Sequence, residues 1–172
     1  MKYLIVIDMQ NDFITGALAN PAAQEIVSKI ADYVKHWNGH LIFTRDTHYS
    51  DYLETMEGKN LPIKHCIKGT EGWEVCEEIR EAVWGEHIEN MCYVDKPTFG
   101  YVEGIKKHIT YPTSIEVVGT CTDICVISNV LSLKEAYPET EIIVHENMCA
   151  GLSPELHEAA IKVMKSCQVK VM

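Results

Sequence analysis

Hydrophobic positions along the chain alternate between short continuous apolar runs and stretches with helical spacing. Tyr3 to Ile7 is nearly continuous and ends at Asp8, the signature of a strand covered on both faces. Asn20-Pro21 opens a helix whose Ile26, Ile30, Ala31 and Val34 line one side, and Gly39 closes it. Leu41 to Thr44 is a second strand running out into Arg45-Asp46-Thr47-His48. A polar segment from Tyr49 to Gly72 follows, long enough to be functional or a lid, and a helix is expected around Trp73 to Trp84. Met91 to Val94 is a third strand leading into Asp95-Lys96-Pro97, with a short helix near Val102 to Ile109. The β-branched run Ile115 to Val118 stops at Gly119, and Val126, Ile127, Val130, Leu131, Leu133 and Ala136 then recur at helical spacing. A strand from Glu141 to Val144, a helix starting at Ser153-Pro154-Glu155 and a short strand at Val169 to Val171 complete the chain. Six strands alternating with five helices predict one domain over residues 1–172. Its architecture is a Rossmann-like three-layer α/β/α sandwich around a parallel sheet with right-handed crossovers.

That architecture has a functional consequence. In a doubly wound sheet of order 3-2-1-4-5-6, ligands bind beyond the carboxyl ends of the strands, where the winding reverses between strands one and four. Asp8 ends strand one and Cys125 follows strand four, so the two should face each other. Lys96 and the Asp46/His48 pair end strands three and two on the same rim. Cys125 falls in the first turn of its helix, where unpaired N–H groups and the positive end of the helix dipole favour a thiolate. The same N–H groups could hold an oxyanion. Taken alone, this stretch reads equally well as an inert buried cysteine. The convergence of four strand ends tips the balance toward a site.

Composition removes other classes. Fifteen basic and twenty-five acidic residues leave a net charge of -10, which disfavours binding to nucleic acid or an anionic membrane. No apolar stretch reaches membrane-spanning length. Seven cysteines without a C-x-x-C spacing read as reduced thiols of a cytoplasmic protein.

A second constellation lies beside the first. In an extended segment Asp46 and His48 project to one side and can ligate together. With His65 and a loop carboxylate, Glu54 or Glu57, they make a mixed nitrogen and oxygen set suited to zinc, iron or manganese.

The stretch Ile7-Asp8-Met9-Gln10-Asn11-Asp12-Phe13, the lysine after strand three and Gly119-x-x-Thr122-Asp123-x-Cys125-Val126 together resemble the isochorismatase-like cysteine hydrolases. The resemblance spans nearly the whole chain and implies a catalytic triad of Cys125, Asp8 and Lys96. It also implies a non-proline cis peptide at Thr120–Cys121, aiming the N–H groups of Cys121 and Cys125 at an oxyanion. Asp46, His48 and His65-Cys66-Ile67-Lys68-Gly69-Thr70 resemble the metal-binding region of the family's nicotinamidases, with Glu57 as the further ligand and Glu54 in reserve. The implied activity is metal-assisted hydrolysis of a small amide through a thioester, nicotinamide to nicotinate and ammonia, with zinc as the first choice of metal. Assembly as a homo-oligomer is expected. One departure concerns the substrate, because Leu61-Pro62-Ile63-Lys64 stands where nicotinamidases commonly offer an aromatic residue. Phe13, Phe99 and Tyr101 are the candidate pocket walls. Another small amide, ureide or carbamoyl compound is the alternative substrate class, and a thiol redox role for Cys125 with Cys121 is the alternative activity.

Overall fold

A computed structural model describes residues 1–83 and 90–172. Six strands form one parallel sheet: β1 (Lys2–Ile7), β2 (His40–Asp46), β3 (Met91–Lys96), β4 (Ser114–Thr120), β5 (Glu141–Ala150) and β6 (Lys170–Val171). Their order is β3-β2-β1-β4-β5-β6, as expected from the alternation of strands and helices. The helices are α1 (Asn11–Ile14), α2 (Pro21–Lys35), α3 (Met56–Asn60), α4 (Glu77–Ala82), α5 (Val102–Ile105), α6 (Ile127–Ala136) and α7 (Pro154–Ser166). Among the described residues, no helix is long and apolar enough to cross a membrane.

Strand alternation divides the core into two layers. Tyr3, Ile5 and Ile7 point to the face covered by Ile105 of α5, Val130 and Leu133 of α6, and Ile161 and Met164 of α7. Leu4 and Val6 point to the opposite face, against Ile26, Ile30 and Val34 of α2 and Ile79 of α4. Each of these side chains buried in full stabilises the fold by about 1.5–3 kcal/mol, so both faces hold the sheet firmly. The Asn20 side chain accepts from the Ala22 N–H at 3.0 Å and Pro21 opens α2, which fixes the start of that helix.

Several expected boundaries move. Strand β5 runs to Ala150 rather than ending at Val144, because its register on β4 shifts between Val117 and Gly119 and then resumes at Cys149 and Ala150. The helix expected from Trp73 is instead a 3₁₀ turn (Glu71–Trp73), a bridge between Val75 and Gln10, and then α4. Its expected end at Trp84 lies outside the described residues. The long polar segment is not bare loop, since a 3₁₀ turn (Tyr52–Glu54) and α3 lie within it.

Candidate active site

The parallel register brings the strand ends together. Asp46 and Lys96 are direct partners across β2 and β3, while Ile7 opposes Gly119 across β1 and β4. Gly119 has φ +124°, and a Cβ there would lie 2.1 Å from the Ile7 carbonyl oxygen. Only glycine lets the two strand ends meet so closely. Asp8, the next residue of β1, turns out of the sheet at φ +49°, a conformation that costs a non-glycine residue about 1 kcal/mol or more.

Lys96 is the hub. Its fully buried ammonium lies 2.7 Å from Asp8 Oδ2, 3.1 Å from Asp46 Oδ1 and 3.4 Å from Cys125 Sγ. Thr44 Oγ1 donates to Asp8 Oδ1 at 2.6 Å, whereas Oδ2 has no aligned hydrogen bond. Burial raises the Asp8 carboxyl above the ordinary carboxylate range, with Lys96 opposing that shift. Burial also works against the charge on Lys96, yet Asp8, Cys125 and Asp46 together hold its ammonium well above the usual lysine value.

Cys125 sits in a π-helical turn (Thr122–Val126) that runs into α6, directly after a cis peptide at Thr120–Cys121. Here the expectation of a thiolate is overturned. Burial, and next the Asp8 carboxylate, push the thiol well above the ordinary cysteine value, and Lys96 offsets this only in part. A thiol raised in this way favours keeping its proton at rest. Cys121 is also buried, and burial pushes its thiol up to about 11. All seven cysteines are free.

The turn is held from outside by Asn129, Leu152 and His157, which sequence reasoning passed over. Asn129, fully buried, donates to the Cys125 carbonyl at 2.8 Å and to the Phe99 carbonyl at 3.0 Å, and accepts from the Tyr101 N–H at 2.8 Å. It thus ties the Cys125 turn to the segment that follows Lys96. Asp123 accepts from the Leu152 N–H at 2.9 Å, and Thr122 bonds His157 at 2.9 Å.

On the far side of Asp46 lies the second group. His48 Nε2 is 2.9 Å from Asp46 Oδ2 and 3.5 Å from Glu57 Oε1; His65 Nε2 is 3.5 Å and 4.0 Å from the same two oxygens. Donor atoms of Asp46, His48, Glu57 and His65 all lie within 4.8 Å of one another. Two imidazole nitrogens and two carboxylates at such spacing fit a divalent transition metal. His65 Nδ1–H donates to the Ile63 carbonyl at 2.8 Å, leaving Nε2 as the lone-pair donor that a ligand needs. Glu54, the reserve, is exposed and outside the group. Burial raises the Asp46 carboxyl, but hydrogen bonds from His48 and His65 and the Lys96 charge outweigh it, so Asp46 stays ionised.

Gln10 and Asp12 hold this group in place, and neither was singled out as a site residue. Gln10 Nε2 donates to the Asp46 carbonyl at 2.9 Å while Oε1 accepts from the Asp46 N–H at 2.7 Å. Asp12 accepts from the Cys66 N–H at 2.7 Å, pinning the loop next to His65. Their signal was present in the sequence: two polar residues just past a buried strand, where solvated side chains are not expected.

A cleft of about 940 Å³ opens over both groups, with Cys125 and Cys121 together with Asp46, Glu57 and His65 on its wall. Phe13 and Phe99 line it as expected. Tyr101 does not. Its side chain packs on the core beside Gly104, because its backbone is anchored to Asn129. Leu18, Leu61, Ile124 and Leu152 supply walls that sequence reasoning did not assign.

The family model for the isochorismatase domain matches residues 2–172. The chain belongs to the isochorismatase family. Nicotinamidase from Saccharomyces cerevisiae is 25% identical over 218 residues, covering 100% of this chain and 99% of that protein. The crystal structure of a nicotinamidase from Bacillus subtilis is 28% identical with a TM-score of 0.81, covering 99% of this chain and 98% of that one. A pyrazinamidase/nicotinamidase from Streptococcus mutans is 25% identical with a TM-score of 0.85, and each chain is covered in full. Within the isochorismatase family, this protein groups with the nicotinamidase-like branch, whose members hydrolyse amide C–N bonds.

Proposed function

We propose that this isochorismatase-family protein is a cysteine amidohydrolase acting on a small carboxamide, with nicotinamide as the reference substrate. The observation that carries the reading is the single buried ammonium of Lys96, in contact with a thiol, a carboxylate and a carboxylate of the metal-fitting group. Asp8 takes the proton from Cys125 and becomes neutral, and the Lys96 ammonium stabilises the thiolate left on the sulfur. The thiolate attacks the amide carbonyl carbon, and the oxyanion forms against the N–H groups of Cys121 and Cys125 beyond Thr120. Asp8 returns the proton to the leaving nitrogen, the C–N bond breaks and ammonia departs. A water molecule, deprotonated by Asp8, then attacks the thioester; the acid leaves and the proton returns to the sulfur.

Asp46, His48, Glu57 and His65 would hold a divalent transition metal, zinc first by its donor set and iron or manganese next. Bound there, it would orient the substrate from the side opposite Cys125. The reading is tested by incubating purified protein with nicotinamide and measuring ammonia. Release that disappears in Cys125→Ala is expected; release of equal rate from that variant would overturn the assignment.

A further inference from the structure

The cleft is large for a single small ring. At about 940 Å³ it lies near the top of the roughly 300–1,000 Å³ typical of sites for drug-sized ligands. Its large apolar walls are Phe13, Leu18, Leu61, Phe99, Ile124 and Leu152, with the neutral amides of Asn20 and Asn60 also on its surface. The ionisable groups on its surface are the thiols and members of the metal-fitting group, and among the described residues no lysine or arginine lines it. Along its apolar walls, away from the metal-fitting group, an anionic substrate would find no lysine or arginine, and it would meet a chain of net charge -10. Phe99 and Leu152 are 47% and 59% exposed. Both also line the cleft, so its wall stays apolar out to solvent-exposed positions.

Resting on the amidase reading above, we infer that the substrate is an uncharged primary carboxamide bearing a bulky apolar group. The amide lies at Cys125, and the apolar body runs along Leu18 and Leu61 toward Phe99 and Leu152. Carbon chains grow into apolar wall rather than into water, so each added methylene should raise specificity about fourfold until the cleft is filled. A carboxylate at the far end should cancel that gain, because it keeps the end of the chain in water rather than against Phe99 and Leu152.

The test is kcat/KM by ammonia release for straight-chain primary amides from butanamide to decanamide, their ω-carboxylated counterparts and nicotinamide. Binding of the same compounds to Cys125→Ala is measured in parallel by calorimetry. A stepwise rise along the uncharged series, lost in the carboxylated one and flattened in Leu152→Asp, is expected. Hydrolysis of nicotinamide with no gain along the series would overturn this inference and leave the amidase reading standing. Chain-length-dependent binding without ammonia from any amide would overturn the amidase reading and keep the apolar assignment. Neither binding nor turnover would overturn both.

Discussion

Asp8, Lys96 and Cys125 come from the ends of β1 and β3 and the turn after β4, whereas Glu57 and His65 reach the neighbouring group from the long connection between β2 and β3. The two groups touch only through Lys96 and Asp46. The first is fixed by sheet register and by a glycine too small to keep the strands apart. The second depends on Gln10, Asp12 and a bridge between His48 and Ile67 to hold a segment with little apolar packing of its own. Groups on a scaffold of this kind are aligned by the packed sheet and helices, while loop-borne donors gain rigidity from what they bind. The difference makes the groups separable by mutation.

The largest effect should come from Cys125→Ala, which removes the proposed nucleophile and should lower kcat on the order of 10⁶-fold while the metal-fitting group stays intact. Equal metal content in variant and parent, read by elemental analysis, checks that separation. Lys96→Met comes next and should damage both groups at once. It leaves Asp8 and Asp46 buried without their shared cation, at a cost of about 3–5 kcal/mol measurable by denaturant unfolding. The same change removes the charge that lowers the thiol, so alkylation of Cys125 by a neutral reagent should need higher pH than in the parent. An unchanged alkylation profile would show that Lys96 does not act on the sulfur.

A smaller and more local effect is expected for His65→Ala. Bound metal should be lost and KM should rise, while Cys125 alkylation proceeds at nearly the parental rate. In the metal-free group, burial works against a charged His65, but Asp46 and the Ile63 carbonyl raise its pKa above the usual histidine value. Ligation needs neutral imidazole, so metal affinity should fall as pH is lowered, starting above the ordinary histidine range. Metal titrations across pH read this directly. The smallest effect separates two loop acids: Glu57→Gln should weaken metal binding, and Glu54→Gln should leave it unchanged, since Glu54 points to solvent outside the group.

The sheet-borne group was legible because its residues follow β-branched runs of strand length, and strand ends of a doubly wound sheet share one rim. The loop-borne donors were legible as residue types but not as a structure. α3 (Met-Glu-Gly-Lys-Asn) has no apolar period; it is held by Thr55, which accepts from the Gly58 N–H at 3.0 Å. Gly58 itself is required there, because a Cβ would sit 2.0 Å from the Tyr52 carbonyl oxygen. Helix α1 spans four residues, too few to show a period. The extension of β5 was hidden by Glu146 and Asn147 inside it. Tyr101 was assigned to the cleft by its proximity to Lys96, but only the packing of α5 against α6 decides where its ring turns. The thiolate expectation failed because the cost of burying the charge, and then the neighbouring Asp8 carboxylate, outweigh what Lys96 and the helix start offer the Cys125 thiolate.

The central claim is that Cys125 carries the acyl group during turnover. Mass spectrometry of protein acid-quenched during steady-state hydrolysis of nicotinamide, followed by proteolysis, tests it most directly. The account requires an acyl adduct on the peptide that contains Cys125, localised to its sulfur by fragmentation and absent from Cys125→Ala. An adduct on Cys121 instead, in a protein that still turns over with Cys125 replaced, would contradict it.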